Sequence, residues 1–208
     1  MFRLPFDEVP EIFQMTSEEE RALYQQHFEM LQDWNIRMAL VSRKSIGHAF
    51  ENHYVDSVMT AEFGHRFYKE GPVYDLGSGA GFPGVVFAIR YRHIKVVLFE
   101  RVQKKQKFLN AVIQSLALQN AEVQGEWNQQ NVTGLIFARA VTPRTELFKF
   151  LESRVSPGSI LVANSGGEAD ISQTPPSFKL VASDKYPLPK DAGFRQIEAQ
   201  ERVPRTTC

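Results

Sequence analysis

Hydrophobic positions in the first sixty residues recur at helical intervals. In "TSEEERALYQQHFEMLQDWNIRMAL", Leu23, Met30, Leu31, Trp34 and Met38 repeat with polar residues between them, and Ser17 and Glu20 stand at capping-box spacing. A second stretch, "SIGHAFENHYVDSVM", puts Ile46, Phe50, Tyr54 and Val58 roughly on one helical face. From residue 72 the texture changes. Short β-branched runs ("PVYDLG", "KVVLFE", "AEVQGEW", "GLIFARA", "GSILVAN") alternate with helical ones ("VVFAIRYR", "KKQKFLNAVIQSLAL", "TELFKFLESRV"). That alternation predicts a mostly parallel α/β sheet with helices on both faces and right-handed crossovers. After a polar, Pro-rich loop over 166–177, "FKLVASDKYPLP" and "FRQIEAQERV" read as an antiparallel hairpin at the sheet edge. The expected organisation is a helical extension over 1–66 and one compact α/β unit over 67–208.

Length and composition narrow the picture. The 208 residues suffice for one such unit with its extension, and 16 Phe and 2 Trp can fill a sizeable core. With 24 basic and 24 acidic side chains the net charge is zero, so any nucleic-acid role must rest on a local patch. Cys208 is the only cysteine, which leaves no internal disulfide and no cysteine metal site. His27, His48, His65 and His93 have no ligand-like grouping, and no metal is expected. The start is not a signal peptide and no run approaches ~18 apolar residues, so a cytoplasmic protein without a membrane span is expected.

The densest chemistry lies in "VYDLGSGAGFPG" at 73–84. Gly77, Gly79, Gly81 and Gly84 follow a strand and open a helix, with Pro83 suited to its first turn. A ligand there meets unpaired backbone N–H groups at the carboxyl ends of the strands. The spacing is G-x-G-x-G, and Phe82 denies the dinucleotide pattern its third small residue. Asp75, two residues before the first glycine, is unattractive beside a pyrophosphate but acceptable beside an ammonium and a sulfonium. Glu100, twenty-three residues after Gly77 at the end of the second strand, can accept from both ribose hydroxyls. These features favour S-adenosylmethionine over a dinucleotide. The plainer alternative is a tight turn, with Glu100 paired to Arg101 or Lys104.

"DLGSGAGFPGVVFAI" resembles the glycine motif of the bacterial 16S ribosomal RNA guanine-N7 methyltransferases, the glucose-inhibited division protein B family. "LQDWN", "NHYVDS", "RVQKKQKFL" and "FARAVTPRTEL" resemble that family's further segments in the same order, over roughly residues 23 to 166. The resemblance implies a class I methyltransferase-like Rossmann sheet, S-adenosylmethionine as cofactor, and guanine N7 of small-subunit ribosomal RNA as acceptor. It places Asp75, Gly77, Ser78, Gly79, Gly81, Phe82, Glu100, Trp127, Asn128 and Arg139 at the cofactor, with Trp127, Asn128 and Phe82 on the adenine side. Ala39, Leu40 and Val41, Asn52, Glu126 and Ser165 depart from the family pattern, the last three where a basic residue is usual. Rival readings are a methyltransferase for another RNA or a small molecule, and a cofactor-binding protein with little catalysis.

Guanine N7 presents a lone pair with no proton to remove, so this chemistry needs placement and no general base. Arg139, at the end of the fourth strand, is the candidate for orienting substrate or cofactor; its alternative is an ion pair with Glu100 or Asp75. The segment 90–107 carries Arg90, Arg92, Lys95, Arg101, Lys104, Lys105 and Lys107, opposed in sequence only by Glu100. Lys104, Lys105 and Lys107 are the candidate RNA contacts, with a solvated helix face as the alternative. For His53 and Asp56, an i,i+3 pair, helix packing and a local hydrogen bond are expected, and Trp34 and Met30 are expected in the core. The partner implied is ribosomal RNA or the small subunit, met by a monomer.

Overall fold

The computed structural model describes residues 4–5, 16–139, 143–165, 174–190 and 192–204. Cys208, most of the Pro-rich loop and residues 140–142 lie outside them.

Helix α1 spans Glu18–Met38. Its start is the expected capping box: Ser17 Oγ accepts from the Glu20 amide at 3.1 Å, and the Ser17 amide donates to the Glu20 carboxylate at 2.9 Å. Glu18, Glu19 and Glu20 in the first turn and Arg37 in the last complement the helix dipole. The buried stripe is Tyr24, His27, Phe28 and Leu31, while Met30, Trp34 and Met38 pack only partly buried beside it. A wholly buried histidine at its centre was not expected. The second stretch is not one helix. It comprises α2 (Arg43–Ile46), a π-helical segment (Phe50–Val55) and α3 (Asp56–His65). Phe50, Tyr54 and Val58 are nonetheless buried together.

The sheet runs β1 (Val73–Leu76), β2 (Val96–Phe99), β3 (Ala121–Gln124), β4 (Leu135–Arg139), β5 (Ile160–Ser165), β6 (Phe178–Pro187) and β7 (Phe194–Arg202). Its spatial order is β3-β2-β1-β4-β5-β7-β6. The first five strands are parallel, crossed by α4 (Gly84–Arg90), α5 (Gln103–Ser115) and α6 (Arg144–Glu152). β7 lies antiparallel to β5 and β6, as the hairpin reading expects. Ser165, the last residue of β5, pairs with Gln196 near the start of β7. The beginning of β7 therefore shares an edge with the carboxyl ends of the parallel strands.

Each face of the sheet has its own core. Val73, Leu98, Phe137 and Val162 face a cluster that includes Phe87, Phe108, Tyr24, Phe28, Leu31 and Tyr54. Tyr74, Val97, Phe99, Ile136 and Leu161 face another with Trp127, Leu147, Phe148 and Leu151. Residues 18–65 are thus fixed to the sheet by large side chains, each contributing about 1.5–3 kcal/mol on burial. No helix among the described residues is long and apolar enough to cross a membrane.

Candidate active site

The glycine turn leaves β1 at Leu76 and enters α4 at Gly84. Gly77, Gly79 and Gly81 all take positive φ, at 68°, 57° and 93°. At Gly79 a Cβ would meet only the Gly77 carbonyl at 3.6 Å, so the backbone there borders open space. Gly84 differs: a Cβ would come within 2.5 Å of Asp75 Oδ2 and 2.4 Å of Leu98 Cδ2, so glycine lets α4 press onto the sheet. The Ser78 hydroxyl is buried and donates to the Asp75 carbonyl at 3.0 Å, which assigns it to the turn itself.

Both candidate acids are built into this turn. Glu100 Oε2 accepts from the Gly79 amide at 3.0 Å and Oε1 from the Val102 amide at 2.8 Å. The alternative of an ion pair with Arg101 or Lys104 is not what forms. Each carboxylate oxygen keeps a lone pair for a ribose hydroxyl. Asp75 is fully buried; Oδ2 accepts from the Gly84 amide at 3.1 Å, while Oδ1 is buried with no hydrogen-bond partner among the described residues. Burial, chiefly, pushes the carboxyl up to about 7. An orphaned acceptor, a pair of carboxylate lone pairs and open backbone at Gly79 fit a cofactor with an ammonium group and a ribose. Glu100→Ala should weaken S-adenosylmethionine binding ~100-fold, because charge-assisted bonds to ligand and to Gly79 are lost together. Titration calorimetry reads this; unchanged affinity would remove Glu100 from the site.

His27 pins the turn from the helical side. Its Nε2 lies 3.0 Å from the Ala80 carbonyl and its Nδ1 2.8 Å from the Tyr54 hydroxyl. A carbonyl can only accept, so Nε2 carries the proton and Tyr54 donates to Nδ1. Burial, chiefly, lowers the imidazole to about 4, and His27 is neutral at physiological pH. Nothing in the sequence marks this role, since a histidine on an apolar helix face does not name its partner.

Arg139 ends β4 on the same edge. It does not pair with Glu100 or Asp75. Nη1 donates to Asp56 Oδ2 at 2.8 Å and to the Asn52 carbonyl at 3.3 Å, and Nη2 to His53 Nδ1 at 2.9 Å. His53 must accept there, so its Nε2–H donates to Ser45 Oγ at 2.6 Å. Burial first, then Arg139, holds that imidazole near 3. Its ring stacks on Phe82 at 5.0 Å, and the Arg139 guanidinium lies 5.7 Å from the same ring. The local hydrogen bond expected of the His53–Asp56 pair forms through the backbone, from the Asp56 amide to the His53 carbonyl, while both side chains turn to Arg139. Asp56 Oδ1 accepts from Tyr186 Oη at 2.7 Å and from Asn164 at 3.3 Å, with Arg195 Nε at 3.8 Å. Side chains from β4, β5, β6 and β7 all meet at this carboxylate on α3. No sequence period announces such a convergence.

The three adenine-side candidates do not gather into one cluster. Trp127 is buried in the second core, stacked 4.7 Å from Phe99 and donating to the Gln129 carbonyl at 3.0 Å. Phe82 belongs to the first core, against His27, His53 and Tyr54. The two rings lie in separate cores; Trp127 anchors the loop after β3, where Asn128 and Glu126 are exposed. The basic segment also divides. Arg90 pairs with Glu62 and Glu20, Arg92 with Glu19, and Lys95 with Glu122, so Glu100 is not their only opposition. Lys104 and Lys107 are exposed and Lys105 half-buried on α5, with no acid at ion-pair distance among the described residues.

Comparison with known proteins follows the same residues. Residues 20–185 match the family model described as rRNA small subunit methyltransferase G. The ribosomal RNA small subunit methyltransferase G of Staphylococcus saprophyticus is 28% identical over 206 residues, covering 91% of this chain and 86% of that one. Its counterpart in Bacteroides fragilis is 31% identical over 144 residues, covering 68% and 69%. Among solved structures, a mutant of MtNAS in complex with S-adenosylmethionine aligns at TM-score 0.58 with 13% identity, over 92% of this chain and 82% of that one. An S-adenosylmethionine-dependent O-methyltransferase from Thermotoga maritima aligns at TM-score 0.55 with 14% identity, over 74% and 67%. At those identities the structural likeness establishes the fold, a class I methyltransferase sheet.

Proposed function

The chain belongs to the rRNA small subunit methyltransferase G family, and on that premise we propose that it methylates N7 of a guanine in small-subunit ribosomal RNA. The observation carrying this reading is that the family match spans the helical extension, the cofactor turn and the Arg139 edge together. S-adenosylmethionine is the cofactor, and when bound it supplies an electrophilic methyl group on a sulfonium. Glu100 would hold its ribose and Asp75 its ammonium, with Asn128 at the adenine side. The residues at the acceptor edge then have one task, orientation. His53 has both nitrogens engaged and stays neutral, so it is not a general base. That suits N7, which reacts through its own lone pair. Arg139 presents donors at this edge that could hold guanine O6 or a phosphate, leaving N7 free to attack. Transfer of tritium from labelled cofactor to small subunits, followed by base mapping, tests the proposal; label on free nucleotide or on no acceptor would favour the rival readings.

Asp75 gives the cofactor reading a pH signature. Its carboxyl, near 7 in the free protein, is protonated below that pH. An ammonium partner prefers the ionised form, so S-adenosylmethionine affinity should climb as pH rises through 7, and Asp75→Asn should flatten the profile between pH 6 and 7.5. Stability carries the opposite sign. An unfolded Asp ionises near ~4, so between ~4 and 7 the native state holds a proton the unfolded chain has lost, and stability falls as pH rises through that window.

Lys104, Lys105 and Lys107 supply candidate phosphate contacts on α5. Reversing the charge of Lys104 and Lys105 should weaken binding to subunits and flatten its salt dependence while cofactor affinity holds. An unaltered salt slope would reduce them to a solvated face. The proposal includes residues 1–66 as an extension of a methyltransferase unit over 67–208, a cytoplasmic location where subunits are built, and a monomer, which light scattering of the purified chain tests.

A further inference from the structure

Two guanidinium groups converge on one carboxylate at the carboxyl edge of the sheet. Arg139 and Arg195 both approach Asp56, which is 2% exposed, while their own side chains are 19% and 24% exposed. Among the described residues, the other groups around Asp56 do not balance the second cation. His53 is neutral, Asn52, Asn164 and Thr60 carry no charge, and burial, chiefly, pushes the Tyr186 hydroxyl well above its usual range. Glu51 nearby has its own partner in Lys190. Asp75 feels the field of Arg139 but makes no ion pair with it.

Arg139 takes the better share of the carboxylate. Asp56 Oδ2 serves Arg139 at 2.8 Å, and Oδ1 is already occupied by Tyr186 at 2.7 Å. Arg195 is left with long contacts: 3.8 Å to Asp56, 3.3 Å to Asn52 Oδ1 and 3.3 Å to the Phe194 carbonyl. A planar fork of five donors, three-quarters buried, thus keeps donors to spare and a charge that, among the described residues, is met only by its distant share of Asp56. Such a fork is suited to a bidentate anion. Its position limits which anion. Arg195 pairs with Tyr186 across the hairpin at the start of β7, on the edge where the parallel strands end. Arg139, on the same carboxylate, lies over Phe82 of the cofactor turn.

We infer that Arg195 is a phosphate-binding residue of the acceptor site, gripping a phosphodiester of the RNA strand next to the methylated guanine. This rests on the reading of the protein as a ribosomal RNA methyltransferase. On it, Arg139 and Arg195 divide the work: the firmly bonded arginine orients, and the loosely bonded one holds the backbone. The edge hairpin becomes part of the substrate site and not a mere seal on the sheet.

Small subunits from cells lacking the enzyme, labelled cofactor and the full chain test it. Arg195→Gln should raise KM for subunits ~10-fold with kcat within about twofold of wild type. The slope of log affinity against log salt should fall by about 0.7 to 1, the loss of one phosphate contact. Cofactor affinity should be unchanged, and Arg195→Lys should recover part of KM and of the slope, since a lysine still offers a charge without the fork. An unchanged KM and slope in Arg195→Gln would overturn the inference. So would a variant whose thermal stability and cofactor affinity fall together while the slope stays at the wild-type value, because that is a structural role. If wild type itself transfers no label to subunits, the ribosomal RNA reading fails first and the phosphate assignment with it; wild-type labelling with an indifferent variant sinks the assignment alone.

Discussion

Arg139→Ala should lower single-turnover methylation of small subunits by ~100-fold or more, with S-adenosylmethionine affinity within about threefold of wild type. The size follows from what the guanidinium does at the acceptor edge. It is the group whose direction is fixed by three partners at once: Asp56, the Asn52 carbonyl and His53. A charged side chain at a sheet rim is ordinarily removed at little cost to the fold. The ion pair with a carboxylate 2% exposed changes that. Truncating one member of a buried pair costs about 3–5 kcal/mol when the survivor is left alone. Here Tyr186, Asn164 and Arg195 still face Asp56, which puts the loss toward the lower end. Arg139→Lys separates the two effects. An ammonium can keep the charge beside Asp56, yet it cannot reach Asp56 and His53 in the planar geometry of the fork. Stability should recover in part and turnover should not. Turnover restored by lysine would mean that charge alone acts there, and equal rates for wild type and Arg139→Ala would reject the role.

Why the cofactor half of the site was readable and the acceptor half was not is a question of sequence distance. Asp75, the glycines and Pro83 fall within one strand-turn-helix unit, and local backbone geometry dictates their spacing. Glu100 sits one βα unit further on, at a distance fixed by the length of α4 and β2. The alternating pattern likewise gave the strands, their helices and the edge hairpin. The hub at Asp56 obeys no such local rule. Its partners come from the helical extension, from β4 and β5 and from the hairpin, up to 130 residues away. Only tertiary packing joins Asn52, Asp56, Arg139, Asn164, Tyr186 and Arg195. The sequence did show that Asn52 and Ser165 stand where the family pattern has basic residues. It could not show that Arg195 reaches Asn52 from the hairpin. His27 was invisible for a related reason. A lone histidine on an apolar face says nothing about the carbonyl it will meet, and Ala80 lies 53 residues on. That the rings of Phe82 and Trp127 join opposite cores was not legible either, because both lie in loops beyond the strand ends, where no period fixes a side chain's direction.

Asp56→Asn should cost about 3–5 kcal/mol, lowering Tm by ~10 °C for a chain of this size, and should abolish most methylation. The substitution changes little volume. It removes the single negative charge between two guanidinium groups and can turn an amide N–H against the Arg139 donor. Arg139 then loses its anchor while Arg195 loses the only carboxylate within ion-pair distance among the described residues, and the edge carries two cations that Asp56 no longer balances. That asymmetry makes the interaction measurable. If the hub acts as one electrostatic unit, adding Arg195→Gln to Asp56→Asn removes one of the two repelling charges. The double variant should then be more stable than the sum of the single losses implies, by about 1 kcal/mol or more. Methylation should not return, because Arg139 remains unanchored. Thermal unfolding of the wild type, the two single variants and the double variant closes the cycle. Strictly additive losses would show that Asp56 and Arg195 do not act on one another, and the acceptor edge would then reduce to an Arg139–Asp56 pair with the hairpin merely packed alongside.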